Sequence, residues 1–371
     1  MRYIFFLFII LMACTPKKEP AIVIKGQIDN EISNQILLFK ETDIEKKDHI
    51  VVDTLLVNAN GTFEKIIFDE PYFYTLEIND RKAIPLLLNI GQSVNITINT
   101  DTVVVSGSDD TNLYNLFERF REESLEHLVK NIRRKILAEQ EKENPNQMII
   151  DSLGALEIEN YKTHITELNN YIKENLSESI ALYPTSLRWM GDNNIPFYKG
   201  LIEDFKLKYP QLSITKKLEE KVLRLQQTAV GGIAANVSLP DAFGQNIALF
   251  DVKQRYTIID FWASWCGPCR RESDLLCKMY QKYKDKGLEI YGISLDTKKE
   301  LWTAAIEQDR RTWINVSSLE AFKTPAVFDY TVTALPVNFI IDKEGKILAK
   351  DLHGEELKVF INQLFNPEKG L

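Results

Sequence analysis

The sequence predicts a multidomain chain with an N-terminal all-β domain, a central helical segment and a C-terminal α/β domain. Three observations carry this. From residue 21 to about 108, short apolar runs alternate with polar residues between turn signals. From 109 to about 229, apolar residues recur three to five apart among charged ones. Beyond 230, apolar strands alternate with amphipathic helices around Trp265-Cys266-Gly267-Pro268-Cys269, which lies where a strand gives way to a helix. A chain of 371 residues has room for two or three such domains.

Composition narrows the function classes. The net charge of −8 and the lack of a basic stripe give no reason to expect a nucleic-acid partner. The four cysteines, at 14, 266, 269 and 277, are too few for a disulfide-stapled scaffold. A zinc site takes four ligands, and a single Cys pair does not make one. No nicotinamide or flavin motif is present, so no cofactor is expected.

The elements follow in chain order. Met1-Arg2 and the apolar run Tyr3 to Met12 read as a signal peptide over 1–13, too short to span a bilayer. Leu11-Met12-Ala13-Cys14 resembles the lipobox of bacterial lipoproteins, which implies a lipidated Cys14 and residues 14–20 as a tether. The β domain, 21–108, has runs at Ile22–Ile24, Ile36–Phe39, Val51–Val57, Phe63–Phe68, Tyr72–Ile78, Leu86–Asn89, Val94–Ile98 and Val103–Val105. Asn60-Gly61, Asn79-Asp80 and Asn89-Ile90-Gly91 mark turns between them, and a small sandwich or barrel is expected. The segment 109–229 carries Leu113, Leu116, Phe117 and Phe120 on one helix and a long second helix over Gln147–Leu176. Pro145, Pro184, Pro196 and Pro210 punctuate it. His127 and His164 lie on these helices and are not expected to act as metal ligands. A spacer or dimerisation layer is the expected role.

The last domain, 230–371, begins at Gly231-Gly232 with a hairpin over Val237–Asp241 and Gln245–Phe250. A buried strand at Tyr256–Trp262 and a helix from Arg270 to Lys284 follow. Next come a strand at Leu288–Leu295, a helix at Lys298–Gln308, a loop with Trp313 and a short helix near Leu319–Phe328. Strands at Leu335–Ile341 and Lys346–Lys350 and a helix at Glu355–Phe365 close the chain.

The chemistry lies in Cys266 and Cys269. Two thiols separated by two residues can close into a disulfide and reopen. At a helix N-terminus the free N–H groups and the dipole favour a thiolate, the nucleophile. Pro268 suits the first helical turn.

Asp260-Phe261-Trp262-Ala263-Ser264-Trp265-Cys266-Gly267-Pro268-Cys269, with Leu335-Pro336-Val337-Asn338-Phe339-Ile340-Ile341-Asp342, resembles the thioredoxin fold. It is most similar to the TlpA/ResA-like thiol-disulfide oxidoreductases, lipoproteins and periplasmic proteins in which a β domain commonly precedes the catalyst. The resemblance covers about 230–371. It implies that Cys266 attacks, that Cys269 resolves the mixed disulfide, and that Pro336 is the cis-proline against the pair. Leu335 would then offer its backbone to an extended substrate, with Trp265, Gly267 and Pro268 completing the rim. Asp260 matches the buried acid that exchanges a proton with the resolving thiol. The family's lysine partner for that acid falls near Gly292 and is missing, which puts a two-residue proton relay in doubt.

The expected function is a membrane-anchored oxidoreductase of the cell envelope, facing the periplasm. It would reduce protein disulfides with electrons from a membrane donor, because Gly267-Pro268 is the dipeptide of low-potential thioredoxins. A peroxidase on the same fold is the first alternative, although Ile259 and Ala263 stand where those enzymes carry Pro and Thr or Ser. A non-enzymatic envelope binding protein is the second.

Overall fold

In the computed structural model the described residues are 21–28, 35–78, 82–99, 102–189 and 191–367. The signal peptide, Cys14 and the Asn79-Asp80 turn lie outside them. Two compact units emerge, Met1–Glu41 with Ile50–Asn131, and Thr42–His49 with Ile132–Leu371. The helical stretch expected over 109–229 is thus shared between them. Among the described residues no helix is long and apolar enough to cross a membrane.

The first unit holds strands β1 (Ile22–Ile28), β2 (Gln35–Asp43, whose last two residues fall in the other unit), β3 (Asp48–Leu56, whose first two do so too), β4 (Thr62–Ile67), β5 (Tyr72–Ile78), β6 (Lys82–Leu88), β7 (Ser93–Ile98) and β8 (Val103–Ser106). They form two four-stranded sheets, ordered β4-β1-β7-β8 and β3-β2-β5-β6. In β5, burial alternates residue by residue from Tyr72 to Ile78, as a strand with one inward face requires. Helix α1 (Asp109–Leu125) is started by Ser108, whose hydroxyl accepts from the Thr111 N–H and donates to the Leu87 carbonyl at 2.6 Å. Asp109 and Asp110 in its first turn suit the dipole.

The second unit contains α2 (Asn131–Gln140, whose first residue falls in the other unit), α3 (Gln147–Asn175), α4 (Leu182–Thr185), α5 (Ile195–Lys208) and α6 (Ser213–Gln227). Asn146 caps α3, and Pro196 occupies the first turn of α5. Pro184 lies inside α4 rather than between helices.

The C-terminal part then runs β9 (Ser238–Pro240), β10 (Asn246–Ala248), α7 (Leu249–Val252), β11 (Tyr256–Trp262), α8 (Gly267–Tyr283), β12 (Leu288–Ser294), α9 (Lys299–Gln308), β13 (Ile314–Val316), α10 (Pro325–Asp329), β14 (Val337–Asp342), β15 (Ile347–Lys350) and α11 (Gly354–Phe365). The five-stranded sheet is ordered β13-β12-β11-β14-β15, with β11, β12 and β13 parallel and β14 and β15 antiparallel. β11 is its centre, which explains why all but its first residue is buried. Alternation along β11 sends Ile259 and Phe261 to one face, with Tyr291, Phe339 and Leu249. It sends Ile258 to the other, with Leu276, Met279, Leu357 and Ile361 of α8 and α11. Asp260 shares the parity of Ile258 and therefore lies on the α8 side.

Three local readings change. Helix α8 begins at Gly267, not Arg270, because Cys266 itself is the cap and Pro268 fits the first turn. A strand, β13, stands where a loop was expected after Trp313. It is three residues long and pairs only at the sheet edge, too short to show a period. β14 starts at Val337, directly after the cis Leu335–Pro336 bond and two residues later than expected.

Candidate active site

Cys266 and Cys269 are joined by a disulfide with Cα atoms 5.3 Å apart. Cys266 is the N-cap of α8, and its Sγ accepts from the Cys269 N–H at 3.3 Å. That contact and the helix dipole act on whatever negative charge Cys266 carries once the bond opens. Cys266 is 5 % exposed and Cys269 2 %. They pack with Trp262, Ala263, Trp302 and Ala305, and Leu335 lies against the same cluster. Trp265 is 59 % exposed, its ring 6.5 Å from that of Phe322. The rim is therefore apolar and open beside a shielded pair of sulfurs.

The loop before the cysteines is pinned from β12. Asp296, 1 % exposed, accepts from the Ser264 N–H at 2.9 Å, the Ser264 hydroxyl at 2.5 Å and the Ser294 hydroxyl at 2.7 Å. Arg270, just past the pair, clasps Asp309 at the end of α9 and donates to the Ser264 carbonyl at 3.2 Å.

Behind Cys269 the site is ionic. Asp260 is buried and accepts at Oδ2 from Arg311 Nη1 at 2.9 Å. Their side chains are 5 % and 0 % exposed. Arg311 Nε donates to Ser273 Oγ at 3.1 Å, and Nη2 reaches the Cys269 carbonyl at 3.4 Å. The guanidinium lies 3.7 Å from the centre of the Trp262 ring. Burial pushes the Asp260 carboxyl above its ordinary range, and the adjacent Arg311 pulls the other way. The sequence reading missed Arg311, which lies 51 residues from Asp260; the one signal was an arginine in an apolar stretch, Arg311-Thr312-Trp313-Ile314.

A second pair was missed as well. His353 Nδ1 and Glu272 Oε2 are 2.9 Å apart, and the Gly354 N–H donates to Glu272 Oε1 at 2.9 Å. The hydrogen bond to Glu272 raises His353, and burial works against the rise. For Glu272 burial pushes upward, but His353 and the Gly354 N–H bring its carboxyl below the ordinary value. Cys277 is a free thiol that contacts the carbonyls of Asp309 and Arg310 at 3.4 and 3.3 Å. Burial raises its pKa, which disfavours the reactive thiolate. Among the described residues no group of three or more His, Cys, Asp or Glu could hold a metal ion.

Comparison with known proteins places this site. The AhpC/TSA family matches residues 230–350. The thiol-disulfide oxidoreductase ResA of Bacillus cereus is 31 % identical over 134 residues, covering 36 % of this chain and 75 % of that protein. ResA of Bacillus anthracis is 32 % identical over 141 residues, with the same coverage of 36 % and 75 %. Among solved structures, the thioredoxin domain of a thiol-disulfide oxidoreductase from Bacteroides vulgatus is 36 % identical, covers 37 % of this chain and 99 % of its own, and has a TM-score of 0.36. A thiol-disulfide oxidoreductase from Bacteroides fragilis is 32 % identical, covers 36 % and 98 %, and has a TM-score of 0.33. An identity above three in ten along three quarters of a relative, beside a family match over 230–350 that contains both cysteines of the disulfide, makes this chain a member of the ResA-like thiol-disulfide oxidoreductases.

Proposed function

We propose that the chain is a lipid-anchored oxidoreductase of the bacterial cell envelope that reduces disulfides in client proteins. Cys266 attacks and Cys269 resolves. The observation that carries this reading is the disulfide at the start of α8, with Cys266 as the cap residue and an open apolar rim at Trp265. In the reduced enzyme the Cys266 thiolate attacks a client sulfur. One bond forms to Cys266, and the partner client sulfur leaves as a thiolate, which takes up a proton. Cys269 gives its proton to Asp260, and its thiolate attacks Cys266 Sγ. The bond between Cys266 and the client breaks, the second client sulfur leaves as a thiolate and takes up a proton, which Asp260 can return, and the Cys266–Cys269 disulfide and a dithiol client remain. Two electrons have passed to the client, and a dithiol donor at the membrane restores the enzyme.

The preference for reduction rests on Gly267-Pro268 and is tested by equilibrating the pair in thiol buffers. A potential near about −250 mV or lower supports it, and one near about −150 mV or higher reverses the direction to oxidation or isomerisation. Anchoring rests on the resemblance of Leu11 to Cys14 to a lipobox. Cys14→Ser should move the expressed chain from the membrane fraction to the soluble fraction, and an unchanged distribution would remove the lipid from the account.

A further inference from the structure

Asp260 sits deep in the sheet, and the residue paired with it across β11 and β12 is Gly292. A side chain could not enter from there. A Cβ on Gly292 would lie 2.8 Å from Asn315 Oδ1 and 3.3 Å from Trp313 Nε1. The positive charge arrives by another route. After α9 the chain turns at Arg310, in the left-handed region with φ 53°, and Arg311 points inward. Its fork meets Asp260, Ser273 and the Cys269 carbonyl together.

We propose that Arg311 is the positioning residue for the resolving step: it fixes the Asp260 carboxylate behind Cys269 and ties it to the helical turn that carries that cysteine. This rests on the reading above, in which Cys269 attacks the mixed disulfide. A carboxyl alone at this depth stays neutral, and a neutral acid cannot take the Cys269 proton. Guanidinium opposes that neutralisation and, unlike an ammonium, does not itself give up a proton. Proton traffic is then confined to Asp260. The groups facing Asp260 besides Arg311 are Glu272, from α8, and His353, from the turn before α11; they act on it with opposite signs. The charge of Arg311 also acts on Cys277, on α8, and opposes the effect of burial there.

The test uses the reduced full-length chain and a symmetric aromatic disulfide that liberates a coloured thiolate. The first equivalent released reports attack by Cys266, and the second reports resolution by Cys269. Arg311→Met should slow the second release by about tenfold near neutral pH and move the acid limb of its pH profile up by about one unit, leaving the first release within about twofold. Arg311→Lys should recover part of the loss. In an Asp260→Asn background, Arg311→Met should add less than about a further twofold, because the base it serves is gone. A second release with unchanged rate and pH profile in Arg311→Met, or losses that multiply in the double variant, overturns the proposal. Should Arg311→Met not fold, the carboxyl infrared band of Asp260, identified by difference against Asp260→Asn, decides. Titration of that band as the pH is varied supports the proposal, and a single protonation state throughout overturns it. Release of neither thiolate by the unmodified chain would instead sink the reading of Cys266 and Cys269.

Discussion

Asp69 in the first unit and Asp260 in the second are held by similar parts, with opposite results. Asp69 receives Lys40 Nζ at 2.9 and 2.7 Å and the Tyr74 hydroxyl at 2.7 Å, and Lys40 lies 4.5 Å from the centre of the Tyr72 ring. Asp260 receives Arg311, which is also bonded to a hydroxyl and stacked on an aromatic ring, Trp262. For Asp69 burial pushes upward, but Lys40, Tyr74 and the Glu70 N–H outweigh it, and the carboxyl ends below its ordinary value. For Asp260 burial wins. The side chain of Asp69 keeps 30 % of its exposure and that of Asp260 keeps 5 %. A cation and a hydroxyl make a stable carboxylate near the surface. At the centre of a sheet, a single cation whose hydroxyl contact is made by the guanidinium and not by the carboxyl leaves an acid whose proton is contested.

The largest expected effect breaks the second pair. Arg311→Met should cost about 3–5 kcal/mol of stability near neutral pH, because Asp260 loses its buried partner and has to take up a proton to stay in place, and Asp260→Asn in the same chain should recover much of that. Urea unfolding followed by tryptophan emission measures both. In the first unit Lys40→Met should cost only about 1 kcal/mol, since water can still reach Asp69. Equal costs at the two sites would dissolve the comparison. The pH dependences should also differ in sign. Asp69, lowered, stabilises above its unfolded value of 3.8, and that contribution is lost as pH falls through its folded pKa. Asp260, raised, stabilises below 3.8, and its contribution is lost as pH rises through the folded pKa.

The smallest effect belongs to His353. Its folded pKa is raised from 6.5, so its bond to Glu272 stabilises below 6.5 and weakens as pH rises through the folded value. Glu272, lowered from 4.5, sets the other edge: its share is present above 4.5 and fades as pH falls through its own folded pKa. His353→Gln should lower the melting temperature by about 1–2 °C inside that window and by less at higher pH, as thermal unfolding at two pH values would show.

How legible was this in the chain? Strands such as Tyr72–Ile78 announce themselves by alternation and turn residues, whereas only the end of β6 was legible, because Leu86, Leu87 and Leu88 are buried one after another. The redox pair is legible because all its parts, strand, Trp265, both cysteines and Pro268, fall within one short stretch whose local pattern dictates its structure. Asp260 could be read as a buried acid from its place in an apolar run. β13 could not be read, because three residues carry no period and only the neighbour β12 makes them a strand. Likewise the sequence shows Gly292 where a lysine was sought, and nothing local says that Arg311 takes over.

What the sequence by itself determined is therefore whatever depends on spacing along the chain: the strand with its one acid, the helix behind it and the thiol pair at their junction. The tertiary structure alone decided which charges meet. Arg311 reaches Asp260 across 51 residues and His353 reaches Glu272 across 81. Neither contact has a sequence period; for Asp260 and Arg311, burial makes an unpaired charge too costly to leave in place.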